Sequence, residues 1–411
     1  MVSDIMVQKL LMEVFLLKKY MAAALLALAL TLTGCSSSPA PQPTNAPTDA
    51  PAATTAPTDA PAQAPTESPT EAPTAAPEMT KYSTVFMDTF DTVIQVIGFA
   101  PSQEVFSEYA GQVHASFVYM HKLFDNYNSY EDEGIVSVYT LNQRAAQEPV
   151  KVDPILYHML DFSKKHYEAC RGQVNVAMGS VLSIWHDYRE AGLDNPEAAQ
   201  LPPMDALTAA NAHTDISKLI LDEENMTVFF ADPQMKLDVG AAAKGYATEI
   251  AAQLLLDSEM SSFIISAGGN VRVGRSPLDG RPNWGVGIQD PDGAVLGTGD
   301  IVETLFISDK SVVTSGDYQR FYVVDGERYH HLIDPDTLMP PSDYRSVSII
   351  TEDSGYADML STAAYLMPYE ESRAFIESLE GVEAIWVFPD MHIEMTDGAK
   401  PYAKSQGAVN Q

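Results

Sequence analysis

The chain has 411 residues, and its 24 Lys and Arg residues against 56 Asp and Glu residues give a formal net charge of −32. A surface this acidic repels a phosphate backbone and we find no basic patch, so the sequence predicts no nucleic-acid partner. Two cysteines in unlike surroundings exclude a disulfide framework and a zinc–cysteine site, while 45% hydrophobic residues suffice for a large buried core.

The first 35 residues have the pattern of a lipoprotein signal peptide. Lys18 and Lys19 precede an apolar run over residues 21–32, which is too short to span a bilayer comfortably. The run ends in Leu-Thr-Gly-Cys, which resembles a bacterial lipobox whose cysteine, Cys35, carries the lipid. The alternatives are an ordinary cleaved signal peptide and a short membrane anchor. We expect lipid on Cys35 to hold the protein at the cell membrane, on its extracytoplasmic face.

Residues 36–80 are rich in Pro, Ala and Thr and contain no Lys or Arg. Such a segment cannot bury enough apolar surface to offset the entropy of ordering, and it favours extended polyproline-II conformations. We therefore expect a disordered tether here, although a Pro-rich ligand segment is an alternative. One folded domain is expected over residues 81–402, followed by a flexible tail over residues 403–411.

Hydrophobic periodicity predicts helices and strands in mixed order along the folded domain. Helices are predicted over residues 104–124, 154–170, 240–256, 357–366 and 370–379. Strands are predicted over residues 84–98, 226–230, 235–239, 262–266, 284–289, 301–308, 318–324, 346–351 and 384–388. Few of these elements follow a strand–long helix–strand order, so we expect an α+β fold of mainly antiparallel sheets with packed helices.

Two glycine-containing segments follow predicted strands. In residues 238–246, small residues open a helix and Lys244 lies one turn in, so backbone N–H groups and a lysine are available to an anionic phosphate. The alternative is that the small residues only permit close packing. Residues 266–270, Ser-Ala-Gly-Gly-Asn, either admit a ligand or make a bend, and the bend is slightly favoured.

A third segment combines hydroxyls, a cation and histidines. Residues 314–320 offer Thr and Ser hydroxyls and an arginine to phosphate. His330 and His331 follow, and because neighbours on a strand face opposite ways, we expect at most one of them to enter a site and transfer protons. A structural role for the pair is the alternative.

A fourth segment places Asp358 and Thr362 four residues apart on a predicted helix, with Ser361 beside them. Carboxylate and hydroxyl oxygens suit a hard cation such as Mg²⁺, which completes its shell with water and phosphate. The alternative is that Asp358 caps the helix and Thr362 bonds a backbone carbonyl.

Together these segments resemble the ApbE family of FAD:protein FMN transferases, over roughly residues 84–398. The resemblance rests on Asp-x5-Lys-Gly-Tyr-Ala, Ser-Gly-Asp-Tyr, His-His-x-Ile-Asp-Pro and Ala-Asp-x-Leu-Ser-Thr-Ala, in that order. It implies an ApbE-like, T-fold-related domain and a Mg²⁺-dependent enzyme that splits FAD and moves FMN onto a Ser or Thr hydroxyl of a target flavoprotein. A phosphoester bond and AMP result, and the implied targets include FMN-binding subunits of membrane redox complexes.

The resemblance also implies roles for individual residues. The implied FAD contacts are Met87, Tyr127, Ala177, Met178, Gly179, Asp238, Lys244 and Leu332. The implied metal ligands are the carbonyl of Ala241 and the side chains of Asp358 and Thr362, with Ser361 as a further candidate. His331 matches the family histidine near the reacting phosphate and is our candidate for accepting the hydroxyl proton, with Asp334 and Asp358 as rivals.

The chain departs from the usual family pattern at Asp88, at residues 175–177 and at residues 336–338. Those departures concern substrate contacts, whereas the metal positions are intact. Two other functions are alternatives: a protein that binds FAD without turning it over, and a solute-binding lipoprotein without chemistry. The intact Asp358 and Thr362 pair favours the transferase.

Overall fold

The structure is a computed structural model that describes residues 78–296 and 299–410. The predicted signal peptide, Cys35 and nearly all of the predicted tether lie outside these residues. The described helices are α1 (Gln103–Phe124), α2 (Val138–Arg144), α3 (Pro154–His166), α4 (Gly179–Asp194), α5 (Met204–Asn211), α6 (Gly240–Leu256), α7 (Pro291–Leu296), α8 (Ser354–Leu366) and α9 (Tyr369–Glu377).

Most strands of the described chain are short, and most belong to hairpins formed by two successive strands. They are β1 (Thr80–Thr89), β2 (Thr92–Ala100), β3 (Val150–Lys151), β4 (Leu219–Asp222), β5 (Thr227–Phe230), β6 (Phe263–Ala267), β7 (Asn270–Val273), β8 (Trp284–Gln289), β9 (Ile301–Ile307), β10 (Ser311–Gly316), β11 (Phe321–Val324), β12 (Glu327–His330), β13 (Ser346–Thr351), β14 (Glu383–Val387) and β15 (Ile393–Met395).

Eight strands form one antiparallel sheet in the order β1-β2-β6-β7-β10-β13-β14-β15. Helices α6 and α8 pack against each other and on one face of this sheet. The hairpin β8–β9 covers the other face, where Trp284 and Leu305 pack with Val312 and Ile385 of the sheet. The predicted α+β fold of mainly antiparallel sheets with packed helices is confirmed.

The single strand predicted over residues 84–98 is wrong, because the chain folds there into the hairpin β1–β2. Phe90 and Asp91 form the turn with φ of 54° and 49°, a left-handed conformation that Asn and Gly usually supply in two-residue hairpins. Asp91 is a residue type that turns favour, but Phe90 is not and the turn contains neither Asn nor Gly, so the alternating pattern of the two strands continues through it without a visible break.

The strand predicted over residues 235–239 is also wrong. Within this segment only Lys236 forms a β-bridge, with Met178, because the side chain of Asn142 bonds both backbone polar groups of Leu237. Asn142 Nδ2 donates to the Leu237 carbonyl at 2.9 Å and its Oδ1 accepts from the Leu237 N–H at 2.7 Å. An amide side chain here replaces the neighbouring strand.

Several elements gave no clear pattern in the sequence, among them α4, α5, β7, β10 and β12. By contrast, the helix over residues 240–256 begins and ends where it was predicted. The last residues, expected to be a flexible tail, pack against the domain: Ala403 is fully buried, and Asn410 exchanges two hydrogen bonds with the backbone of Asn283. No helix within residues 78–296 and 299–410 is long and apolar enough to cross a membrane.

Candidate active site

A cavity of about 360 Å³ opens between the tip of the β1–β2 hairpin, the starts of α4 and α6, and the segment that follows β12. Most of the predicted site residues line it, although they come from segments more than 200 residues apart. They are Tyr127, Met178, Asp238, Ala241, Lys244, His331, Leu332, Asp358 and Thr362. The fold therefore brings the first, third and fourth sequence segments together at one place.

Four other predicted site residues do not line this cavity. Met87 lies on β1 with 73% of its surface exposed, whereas Ala177 and Ser361 are fully buried. Gly179 lies at the start of α4, where a Cβ atom would come within 2.7 Å of the Leu237 carbonyl group. Their predicted contacts with FAD or metal stay predictions.

Helices α6 and α8 cross beside the cavity, and the crossing holds Asp358 in place. The residue is 4% exposed, and its Oδ2 accepts a 2.8 Å hydrogen bond from the N–H of Gly245. Burial raises the pKa of Asp358 above its usual value, while the charge of Lys244 and the Gly245 N–H act in the opposite direction. The carboxylate is thus oriented, and a cation would compensate its desolvation.

Asp238 lies two residues before Gly240, the first residue of α6. Its Oδ1 accepts from the N–H of Gly240 at 2.9 Å, and its Oδ2 accepts from Asn126 Nδ2 at 3.1 Å. These bonds fix the strand-like segment that leads into α6. The side chain of Lys244 follows one turn later and faces the same cavity.

His330 and His331 have different environments, as expected from their adjacent positions. His330 is buried, its Nε2 pairs with the carbonyl of Pro341 at 2.7 Å, and its Nδ1 accepts from the N–H of Leu332. His331 borders the cavity, and its buried Nδ1 has no hydrogen-bond partner among the described residues. Asp334, the rival candidate for the base, accepts from the N–H of Asp336 at 2.8 Å and does not line the cavity.

The cavity holds His331 in its neutral form. Burial lowers the pKa of this histidine well below its usual value, and the positive charges of Arg320, Lys244 and Arg189 lower it further. A neutral imidazole at physiological pH can accept a proton.

A cluster of His186, Arg189 and Tyr127 forms one cavity wall, and the sequence patterns identified only its tyrosine. Arg189 Nη2 donates to His186 Nδ1 at 2.9 Å, and the rings of His186 and Tyr127 lie 4.5 Å apart. Both missed residues belong to α4. The apolar spacing of Val181, Ile184 and Trp185 was the available signal for this helix, and it would have put His186 and Arg189 three residues apart on one face.

The cavity is less acidic than the chain as a whole, because three cationic side chains line it beside four aspartates. The cations are Lys244, Arg189 and Arg320, and among the described residues the carboxylate that pairs with Arg320 is that of Asp91, at 3.8 Å. Cationic side chains that converge on a concave site favour a phosphorylated ligand.

The donor set at the crossing fits a hard cation that is completed by other ligands. Asp358, Thr362 and the backbone of Ala241 offer oxygens at one side of the cavity. Within the described part of the chain, no group of three or more His, Cys, Asp and Glu side chains could hold a metal. A cation at Asp358 would therefore depend on neutral protein oxygens, water and ligand phosphate, as is common for Mg²⁺.

The Gly-Gly segment has the structural role that was slightly favoured. Gly268 and Gly269 turn the chain from β6 to β7 with φ of 53° and 94°, and neither lines the cavity. Asn270 after them is buried, and its amide lies close enough to the Asp358 carboxylate to favour the charged form.

The chain is similar in sequence to one family of known proteins. A model of the ApbE family matches residues 87–386. A relative from Treponema pallidum (strain Nichols) named FAD:protein FMN transferase is 36% identical over 271 residues, 63% of this chain and 72% of that protein. A second of that name, from Klebsiella pneumoniae (strain 342), is 30% identical over 274 residues, 65% of this chain and 81% of that protein.

The fold agrees as well. The crystal structure of the ApbE protein from Thermotoga maritima is 27% identical and has a TM-score of 0.68, and the match covers 79% of this chain and 99% of that one. The expected ApbE-like fold is confirmed. With the family model matching most of the chain and two curated relatives matching over most of their own length, the chain belongs to the ApbE family.

Proposed function

We propose that this protein transfers FMN from FAD to a Ser or Thr hydroxyl of a target flavoprotein, in a Mg²⁺-dependent reaction that releases AMP. The observation that carries the proposal is the cavity itself. A neutral histidine, an oriented buried carboxylate and three cationic side chains face one space of about 360 Å³. The names of the two relatives support FAD as the donor and a protein as the acceptor.

The cavity offers different side chains to the flavin ring and to the pyrophosphate of FAD. Tyr127 and His186 offer aromatic surface at one wall, where a flat ring can stack. Lys244, Arg189 and Arg320 offer positive charge to the pyrophosphate. These cations attract phosphate in a cavity whose lining also contains four aspartates.

The reaction needs a proton acceptor for the incoming hydroxyl. The hydroxyl oxygen forms a bond to the FMN phosphorus, the bond from that phosphorus to the bridging oxygen breaks, and AMP leaves with the bridging oxygen. His331 accepts the hydroxyl proton, because its imidazole is neutral and borders the cavity. Lys244 and the arginines stabilise the charge that develops on the phosphate oxygens.

Asp358, Thr362 and the carbonyl of Ala241 would hold the metal ion. When bound, Mg²⁺ neutralises charge on the pyrophosphate and on the leaving group. Gly245 contributes by orienting the Asp358 carboxylate through its backbone N–H. The raised pKa of Asp358 reflects the cost of burying a charge that a cation would offset.

We also propose that lipid on Cys35 holds the enzyme at the cell membrane, outside the cytoplasm. Residues 36–80 would then act as a tether that lets the domain reach targets on the same membrane, such as FMN-binding subunits of redox complexes. The apolar run followed by Leu-Thr-Gly-Cys supports the anchor, and the Pro-rich composition supports the tether.

The proposal is tested by incubating the purified chain with FAD, Mg²⁺ and a panel of FMN-binding flavoprotein subunits. Intact-mass measurement should show an adduct of FMN mass on an acceptor, and nucleotide analysis should show an equal amount of AMP. A chelator should abolish both, and Mg²⁺ should restore them. FAD that stays bound and intact, with no adduct on any acceptor, would point instead to a flavin-binding protein without turnover.

A further inference from the structure

Three hydroxyl groups meet where β10 lies against α8. Ser315 Oγ lies 2.8 Å from Ser361 Oγ and 3.2 Å from Thr362 Oγ1. Ser361 Oγ also bonds the backbone carbonyl of Asp358 at 2.9 Å. Ser315 and Thr362 line the cavity, whereas Ser361 is fully buried behind them.

The direction of each hydrogen bond follows from the fact that a hydroxyl has one proton to donate. A carbonyl can only accept, so Ser361 donates its proton to the carbonyl of Asp358. Ser361 must then accept a hydrogen bond from Ser315, so the proton of Ser315 points to Ser361. Thr362 is left as the donor to Ser315.

This series of hydrogen bonds determines which part of the Thr362 hydroxyl faces the cavity. With its proton turned toward Ser315, the Thr362 oxygen has only lone pairs left for a ligand. Lone pairs attract a cation and repel a phosphate oxygen. The hydroxyl of Ser361 is engaged in the same series of hydrogen bonds, which argues against Ser361 as a direct metal ligand.

We infer that Ser315 is a positioning residue, whose hydroxyl holds the proton of Thr362 away from the cavity so that the Thr362 oxygen faces a divalent cation. The inference rests on the proposed function, because it assumes a cation beside Asp358. It assigns Ser315 no contact with the cation and no part in bond making or breaking.

The test measures metal affinity rather than turnover. The full chain in detergent, with FAD present, is titrated with Mn²⁺, and unbound Mn²⁺ is followed by its electron paramagnetic resonance signal. Ser315→Ala frees the Thr362 proton to turn into the cavity, so Mn²⁺ affinity should fall about tenfold, as is usual when a group that orients a metal ligand is lost. Ser315→Thr keeps the hydroxyl on a strand that suits β-branched residues, so it should bind Mn²⁺ within about twofold of the wild type.

The matched control is Ser348→Ala. Ser348 is buried on the next strand and pairs with Thr314 Oγ1 at 2.7 Å, so this variant also removes one hydroxyl–hydroxyl bond from the sheet. Because it has no bond to Thr362, its Mn²⁺ affinity should match the wild type.

A double-mutant cycle shows whether Ser315 acts through Thr362. In a Thr362→Val background there is no proton to orient, so Ser315→Ala should change Mn²⁺ affinity by less than about twofold. An equal loss in both backgrounds would mean that Ser315 contacts the cation itself, and no loss in either would mean that it has no role; both results overturn the inference. Failure of the wild type to bind Mn²⁺ would refute the metal site and the inference with it, while FMN transfer, measured separately, would still test the function.

Discussion

The N–H of Gly245 donates a 2.8 Å hydrogen bond to Oδ2 of Asp358, at the point where α6 and α8 cross. A Cβ atom on residue 245 would come within 2.4 Å of both Asp358 Cβ and the carbonyl oxygen of Ser354. Real Cβ atoms do not approach so closely, and the backbone carbonyl cannot yield as a flexible side chain would. The missing side chain of Gly245 is therefore what allows the two helices to present Lys244 and Asp358 to one cavity.

Gly245→Ala should therefore destabilise the domain, because the two helices must move apart. We expect a loss of about 1–3 kcal/mol in the free energy of unfolding, as is typical when a packed core is overfilled, together with a large loss of FMN transfer. Urea denaturation measures the first and intact-mass analysis of the acceptor measures the second.

Gly111→Ala is the matched control for this prediction. Gly111 lies within α1, and a Cβ atom there would meet nothing within 4 Å. Alanine in an exposed helix should stabilise the protein by up to about 1 kcal/mol relative to glycine. Equal effects of the two substitutions would contradict the close helix crossing.

Replacing Asp358 separates the role of its charge from that of its shape. Asp358→Asn keeps the volume and an acceptor for the Gly245 N–H, so we expect a folded protein whose FMN transfer falls by about a hundredfold. Asp358→Ala should also lose about 1–3 kcal/mol of stability, because the Gly245 N–H becomes buried without a partner. Thermal unfolding and initial transfer rates in Mg²⁺ distinguish the two variants.

Thr362→Val provides the comparison within the same helix, since it deletes a neutral oxygen and keeps the shape. Its transfer rate should fall by about tenfold, less than that of Asp358→Asn. A wild-type rate in Asp358→Asn would show that Asp358 serves only to hold α8 against α6.

The pH dependence of transfer should report the unusual environment of His331. Because the pKa of His331 lies well below its usual value, the imidazole stays neutral as the pH falls through 6.5, so kcat/KM should hold until the pH is well below that value. Arg320→Gln removes a positive charge beside the imidazolium, so it should raise the pKa of His331 and move the acid limb to higher pH.

The position of the limb is measured from kcat/KM between pH 4.5 and 8.5. Arg281→Gln is the control, because Arg281 forms an exposed ion pair with Asp279 and does not line the cavity. An acid limb at pH 6.5 or above that Arg320→Gln leaves in place would contradict the prediction, because another group, such as Asp358 with its raised pKa, would then set it.

Cys35→Ser should release the protein from the membrane or leave an unprocessed precursor, because the residue that carries the lipid is lost. Fractionation of cells and the apparent mass of the protein provide the two measurements. Normal processing with unchanged membrane association would contradict a lipid anchor on Cys35.

Local patterns in the sequence were sufficient for much of the fold and for most of the candidate site. The helix over residues 240–256 is predicted correctly because alanines and leucines, which favour helices, dominate it and no proline interrupts it. Asp238, Lys244, His331, Asp358 and Thr362 were identified because each lies within a short segment of distinctive chemistry. That local information also sufficed to predict that His330 and His331 would differ in their surroundings.

Only the tertiary structure decided which of these residues meet, and how their protons and charges are arranged. The Phe90–Asp91 turn was missed because it lacks the Asn-Gly or Asp-Gly pair that marks a two-residue hairpin, although both residues have a left-handed conformation and join β1 to β2. Arg189 and Arg320 have no local feature that marks them, yet both line the cavity with His331 and their charges lower its pKa. The direction of the Thr362 hydroxyl depends on Ser315, 47 residues away. Such relationships depend on distances between segments far apart in the chain, whereas hydrophobic periodicity and short motifs describe only neighbours within it.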